Sequence, residues 1–286
     1  MINKELEAQI RLLEDPDKQI YSLLHESIVN KGVEAISTLE QAWDNSLLPI
    51  VHERIENIIH DINFNQILSS VENWSNEGRK DWFSILFLIS KFYFQNLNKA
   101  LLIEEFTKIK NEIWLEINDN LTAFEKIQIL NHILFKKYQI SQVKDNQEQI
   151  QNYFLSEALF NKKGNDLSVG LLYLLICSNL NWPVYGVNLP GNLILAYLDS
   201  HPQKLSADLR DEVLFYINPI DRGKVFGKAE LEYVINSKKI ENRAKYYRAA
   251  TNSSMIKRLV KHNINVYKKL KLNTYIPNFK DLYKSI

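Results

Sequence analysis

The hydrophobic pattern of this 286-residue chain changes near Gly164. Before that residue, apolar side chains recur every three to four positions, which is typical of amphipathic helices. Between Gly164 and Phe226 they form short runs separated by glycine, proline and asparagine, as in strands joined by turns. Because the two patterns follow each other along one chain, the sequence predicts an α+β fold in which a helical part precedes a part that contains a sheet.

The N-terminal part contains two similar turn-and-helix segments. Asp15-Pro16-Asp17 is a turn sequence, and apolar residues at helical spacing follow it as far as Ile28. Lys31-Gly32 interrupts this helix, and a second set of apolar residues extends to Trp43. Asp44-Asn45-Ser46 then repeats the acidic turn about 29 residues after the first one. The offset indicates either a short array of HEAT-like repeats or a plain helical bundle.

Two further helices are predicted before the sheet begins. The run from Trp82 to Phe94 is apolar nearly all round, which predicts a helix buried among others rather than an aromatic ligand site. Thr122 and Glu125 have the spacing of a capping box ahead of another amphipathic helix. We therefore expect an all-helical domain over residues 1–118 and a second domain, ending in basic helices, over residues 119–286.

The middle of the chain predicts a buried helix followed by three strands. Asn165-Asp166 is a helix cap, and Asn181-Trp182-Pro183 ends that helix because a residue before proline disfavours the helical conformation. Pro190-Gly191 forms a turn between the first two strands. The predicted strands are Val184 to Val187, Leu193 to Tyr197 and Val213 to Ile217.

Four motifs in this region carry a family resemblance. They are Gly164-Asn165-Asp166-Leu167-Ser168, Leu171-Leu172-Tyr173, the segment from Pro183 to Asn192, and Ile217-Asn218-Pro219 with Gly223. In their order and spacing they resemble the SirB-type branch of the transglutaminase-like superfamily, over about residues 120–235. The resemblance implies a papain-like core, in which a nucleophile at the start of a helix is joined by a histidine and an aspartate on successive strands.

The chain departs from the family's catalytic pattern at three positions. Ser168 stands where catalytic transglutaminases have cysteine, Asn192 replaces the histidine, and Asn218 replaces the aspartate. A nucleophile of this kind needs a base to accept its proton and a third group to orient that base. Asparagine does not titrate near neutral pH, so Asn192 is no general base. The resemblance therefore implies a non-catalytic domain that acts by binding a protein or a ligand.

The alternative is a hydrolase or an acyl-transfer enzyme that uses Ser168 with a base from elsewhere. His201 follows the second predicted strand, and Asp221 follows the third. Isolated loop histidines and charged turns are more often solvated, so we expect neither residue to act as that base. Pro190, Gly191 and Asp221 are the candidates for the lining of a residual cleft.

The cysteine and histidine content argues against metal and cofactor chemistry. The single cysteine, Cys177, excludes a disulfide framework and a multi-cysteine metal site. It lies nine residues after Ser168, on the opposite face of the same predicted helix, which predicts a buried structural thiol. The histidines lack the spacing of a metal site, and the chain contains no glycine-rich phosphate loop. We expect no metal and no cofactor.

Basic residues are concentrated at the C-terminal end of the chain. From Arg222 onward there are 16 Lys or Arg against 4 Asp or Glu, although the net charge of the whole chain is +1. Without a recognised nucleic-acid motif, this charge is better explained as a solvated helix face or as a surface that docks on acidic residues of the same chain. We expect an unidentified protein partner and not a nucleic acid.

No segment of the sequence predicts a membrane span. The apolar stretches are shorter than the roughly 20 residues needed to cross a bilayer. The N-terminal residues are charged and lack the apolar core of a signal peptide. We therefore expect a cytoplasmic protein that does not insert into a membrane.

Overall fold

The structure, a computed structural model, describes residues 2–78, 81–143, 149–187, 189, 193–202, 212–237, 249–272 and 275–286. The described residues form twelve α-helices: α1 Ile2–Arg11, α2 Lys18–Val29, α3 Ile36–Asn45, α4 Pro49–Asn76, α5 Trp82–Tyr93, α6 Lys99–Glu116, α7 Ala123–Asn131, α8 Leu155–Phe160, α9 Asp166–Asn179, α10 Lys228–Ser237, α11 Asn252–Lys269 and α12 Ile276–Ser285. The strands are β1 Ser141–Gln142, β2 Lys163–Gly164, β3 Val184–Val187, β4 Ile194–Leu198, β5 Val213–Asn218, β6 Lys224–Phe226 and β7 Ala249–Ala250. The predicted α+β class is confirmed, with helices before and after the sheet.

Apart from the last two residues, the chain divides into two compact units, residues 1–73 and 74–284. The boundary predicted from the sequence, at residues 118 and 119, falls inside the second unit. It remains a prediction of where a separable domain begins.

The first unit is a set of helices around an aliphatic core. Its fully buried members include Ile28 on α2, Leu39 on α3 and Ile55 on α4. Arg54, which is buried on α4, donates a hydrogen bond of 2.8 Å to the backbone carbonyl of Leu13. A guanidinium group in an apolar core needs such acceptors, so this contact ties α4 to the turn after α1.

The pattern of two short helices is not repeated within this unit. A 3₁₀ turn over Gly32–Ala35 separates α2 from α3. The segment after the second acidic turn, Asp44-Asn45-Ser46, is instead the single 28-residue helix α4. Of the two sequence-based alternatives, the unbroken helix favours a bundle over a HEAT-like array.

The second unit contains both helices that the sequence predicted ahead of the sheet, α5 and α7. Helix α5 is buried over much of its surface, and Trp82 is only 4% exposed. Helix α7 begins with the predicted capping box, in which the Thr122 Oγ1 accepts a bond of 3.3 Å from the backbone N–H of Glu125 and the Glu125 carboxylate accepts one of 2.8 Å in return. The six residues after α7, His132–Lys137, continue it as a π-helix.

The centre of the second unit is α9, which is buried from Leu167 to Cys177. It precedes an antiparallel sheet with strand order β6-β5-β4-β3-β7. The three predicted strands correspond to β3, β4 and β5 and agree to within one residue at each end. Leu231 and Ile235 of α10 pack against apolar residues of the sheet, and α9 contacts β3. The apolar character of all these elements explains why the helix and the sheet form one core.

Among the described residues, no helix has both the length and the apolar character needed to cross a membrane.

Candidate functional site

Ser168 lies in the first turn of α9 and takes part in its cap. The backbone N–H of Ser168 donates a 2.9 Å hydrogen bond to the Asn165 Oδ1, and the Ser168 Oγ accepts a 3.0 Å bond from the backbone N–H of Asn165. The hydroxyl also donates a 2.8 Å bond to the backbone carbonyl of Asn152, in the 3₁₀ turn before α8. The Ser168 residue is only 1% exposed. Its hydroxyl therefore joins two segments of backbone inside the core.

This arrangement disfavours nucleophilic chemistry at Ser168. The hydrogen of its hydroxyl points to an amide carbonyl, which is not a base at neutral pH, and a serine becomes nucleophilic only when a base accepts that hydrogen. Close packing also leaves little room, because a Cβ added to Gly164 would lie 2.4 Å from the Ser168 Oγ. The absence of a side chain at Gly164 is what allows the serine to occupy this place.

The loop that carries Pro190, Gly191 and Asn192 lies outside the described residues. The residues on either side of it are held by polar contacts. The backbone N–H of Leu193 donates a 3.3 Å bond to the Asp166 Oδ2 on α9, and an Arg258 Nη1 on α11 donates a 3.2 Å bond to the Leu189 carbonyl. Burial lowers the pKa of Arg258, and the nearby carboxylate of Asp166 opposes this change.

Asn218 is the last residue of β5. Ile217 is paired with Leu195 in antiparallel register, so Asn218 lies at the end of the sheet where β4 begins. Strand β4 begins at Ile194, directly after Leu193. The structure thus brings the segments next to two of the motif positions, 192 and 218, to the same end of the sheet. The Asn218 Oδ1 is buried and has no hydrogen-bond partner among the described residues.

A polar network that the sequence did not predict supports the turn after Asn218. The Tyr173 hydroxyl on α9 donates a 3.0 Å bond to the Asn131 Oδ1, and the Asn131 Nδ2 donates a 2.8 Å bond to the Gly223 carbonyl. Burial raises the pKa of Tyr173 well above its usual range, so its hydroxyl remains a neutral donor. The only signals in the sequence were a polar residue beside the apolar stripe of α7 and a tyrosine within the run of leucines on α9.

Gly223 is required by this network for two reasons. Its φ of +70° lies in the left-handed region, where a side chain is strained. A Cβ at this position would also lie 1.8 Å from the Asn131 Oδ1. The glycine of the fourth family motif therefore has a packing role, independent of any chemistry at Asn218.

His201 and Asp221 are not among the hydrogen-bond partners described for Ser168. His201 is exposed and contacts the Tyr185 hydroxyl at 2.8 Å and the backbone carbonyl of Asn181 at 3.2 Å. Asn181 follows the C-terminal end of α9, and at 1.5 Å per residue that end lies roughly 16 Å from Ser168. Asp221 is exposed in the turn between β5 and β6. The hydrogen bonds described for Ser168 thus involve no titratable side chain that could act as the base.

Cys177 is fully buried on α9, as the sequence predicted. Its burial raises the pKa of the thiol well above the usual range, so the thiol is protonated and unreactive at neutral pH. Among the described residues, no three His, Cys, Asp or Glu side chains are placed to hold a metal ion.

Comparisons with known proteins agree with this architecture. A family model described as transglutaminase-like superfamily matches residues 101–261. UPF0162 protein PM0557 of Pasteurella multocida is 29% identical over 106 residues, which are 37% of this chain and 36% of that protein, so the chain matches about a third of the length of this curated relative. No solved structure is significantly similar to the chain. Because the family model covers more than half of its residues, the chain belongs to the transglutaminase-like superfamily.

Proposed function

We propose that this chain is a non-catalytic member of the SirB-type branch of the superfamily and acts by binding a partner. The observation that carries the proposal is the use of the Ser168 hydroxyl in the cap of α9, where it donates to the Asn152 carbonyl and accepts from the Asn165 backbone. A side chain whose hydrogen-bonding capacity supports the fold is a poor nucleophile.

The residues at the other two motif positions support the same conclusion. Asn192 and Asn218 carry neutral amides, and neither can accept the proton that a serine nucleophile must release. Asn218 also lacks the negative charge that would stabilise a protonated histidine. The three substitutions together remove the nucleophile, the base and the orienting group, while Gly164 and Gly223 continue to serve the packing.

We propose that the partner is a protein and that the two proteins form their complex in the cytoplasm. The turn between α3 and α4 and the start of α4 support a protein partner, because they expose three apolar side chains. Leu47 is 95% exposed, Leu48 is 44% exposed and Ile50 is 39% exposed. Neighbouring exposed apolar residues of this kind are typical of surfaces that bind other proteins.

Reaction with a serine-directed fluorophosphonate probe tests the proposal. We expect no labelling of the wild-type protein above the level of the Ser168→Ala variant, with intact mass as the readout. Labelling that is present in the wild type and absent in Ser168→Ala would instead support a hydrolase or an acyl-transfer enzyme that uses Ser168. Comparing the two proteins at equal fractions folded, measured by circular dichroism, separates reactivity from unfolding.

A further inference from the structure

A cavity of about 410 Å³ lies at the C-terminal end of α9, within the second compact unit. Its walls come from the last turn of α9, from β3, from the junction of β7 with α11, and from the start of α5. Ser178, one of the residues of its wall, is exposed. Ser168 and Asn218 do not line the cavity. The cavity is therefore separate from the position where the superfamily carries its nucleophile.

The described residues of the cavity wall include four rings. Trp82, Trp182, Tyr185 and His201 contribute rings, and Asn181 contributes an amide. Among the described residues that line the cavity there is no Asp, Glu, Lys or Arg. An ion transferred from water into such a place would lose its hydration without gaining an opposite charge. The wall thus favours a neutral occupant.

Several contacts hold the wall in place before any ligand binds. Both ring nitrogens of His201 are engaged, one with the Tyr185 hydroxyl and the other with the Asn181 carbonyl. A Cβ added to Gly186 on β3 would lie 2.5 Å from the Met255 Sδ, which shows how closely the first turn of α11 packs on the strand. Because these side chains are already ordered, a ligand would bind with little further loss of side-chain conformational entropy.

We propose that this cavity binds a neutral, planar compound with hydrogen-bonding groups on its edge, such as a nucleoside or an indole derivative. Aromatic side chains pack well against flat rings, and the amide and hydroxyl groups of the wall can pair with the polar edge of such a ring. The volume lies within the range of small-molecule sites, which is about 300 to 1,000 Å³. The inference goes beyond the proposed function, because it concerns the opposite end of α9 and does not depend on the chemistry of Ser168.

Isothermal titration calorimetry of the full chain with adenosine and with indole tests this inference. Comparing the two titrations shows whether the cavity prefers a nucleoside or an indole derivative. We expect at least one of them to bind with a dissociation constant on the order of 1 mM or tighter. We expect glucose, which is neutral but not aromatic, not to bind. Adenosine monophosphate should bind no more tightly than adenosine, because the described residues of the wall include no Lys or Arg to pair with its phosphate.

Two variants assign the binding to this cavity. Ser178→Phe should fill the cavity and weaken binding about tenfold or more. Ser237→Phe is the matched control, because Ser237 is also an exposed serine in the last turn of a helix and does not line the cavity. Since Ser178 also borders a neighbouring groove beside Asp81 and Lys110, Asn181→Gly provides a second test. It removes the amide at a position whose φ of +57° suits glycine, and should weaken binding severalfold.

Three results would overturn the inference: no binding of adenosine or indole at millimolar concentration, tighter binding of the monophosphate than of adenosine, or unchanged affinity in both Ser178→Phe and Asn181→Gly. The outcome is distinguishable from that of the proposed function. Ser168→Ala should retain the binding, so labelling of Ser168 together with unimpaired adenosine binding would contradict only the non-catalytic assignment.

Discussion

The two ends of α9 use their polar groups in different ways. At the N-terminal end, the Ser168 hydroxyl and the Asn165 amide pair with the backbone, and the serine is 1% exposed. At the C-terminal end, Ser178 is exposed and borders a cavity whose described wall contains no Asp, Glu, Lys or Arg. The polar groups at the N-terminal end are thus used within the core, whereas the C-terminal end borders a cavity.

The largest effect is expected for Gly223→Ala, which acts on the turn after β5 that Asn131 links to Tyr173 of α9. The new Cβ would meet the Asn131 side chain and strain a backbone with φ of +70°, so we expect a loss of about 3 kcal/mol in the free energy of unfolding. Chemical denaturation measures it. Gly227→Ala is the control, because the nearest atom to its Cβ would lie at an ordinary contact distance of 3.6 Å. Equal losses in both variants would contradict the role given to the Asn131 network.

Ser168→Ala should have the next largest effect. Removing the hydroxyl leaves the Asn152 carbonyl and the Asn165 N–H without this partner, and such a loss costs about 1 to 2 kcal/mol. Ser178→Ala, at the exposed end of the same helix, should change the free energy of unfolding by less than about 0.5 kcal/mol. If urea denaturation gives the two variants the same stability, the contrast between the two ends is lost.

Tyr173→Phe should have a smaller effect that depends on pH. At neutral pH the lost hydrogen bond to Asn131 should cost about 1 kcal/mol. Burial raises the pKa of Tyr173 above that of an unfolded tyrosine, which is about 10. In the wild type, the contribution of Tyr173 to the free energy of unfolding is therefore fully present below about pH 10. It decreases above that pH, because the unfolded state is stabilised when its tyrosine ionises. The phenylalanine variant lacks this ionisation. Its deficit, measured by denaturation from pH 7 to pH 11, should therefore narrow as the pH rises.

The local elements of the core could be predicted from the sequence because their signals lie within a few residues. The capping residues Thr122 and Asn165 correctly predicted where α7 and α9 begin. Alternating and continuous apolar runs predicted β3, β4 and β5 to within one residue at each end. The apolar surface of the segment after Asp81 correctly predicted a buried helix.

The polar contacts of the site could not be predicted in this way. The bond from Asn131 to Gly223 joins residues 92 positions apart, and nothing near Asn131 in the sequence indicates it. The carbonyl of Asn152 that accepts from Ser168 belongs to a backbone group, which no side-chain pattern specifies. The cavity at the other end of α9 depends on the packing of five elements, α5, α9, β3, β7 and α11, which come from three separate stretches of the sequence. Local periodicity contains no information on such contacts.

The most direct test of the contrast between the two ends is the rate of alkylation of Ser168→Cys and Ser178→Cys by iodoacetamide under native conditions, with the wild type, whose Cys177 is buried, as the background. We expect Ser178→Cys to react nearly as fast as an unfolded control. We expect Ser168→Cys to react on the order of 100-fold more slowly, because that position is buried and its partner is a carbonyl group. Rapid alkylation of Ser168→Cys, especially below pH 7, would show an accessible and activated thiol and would contradict the account.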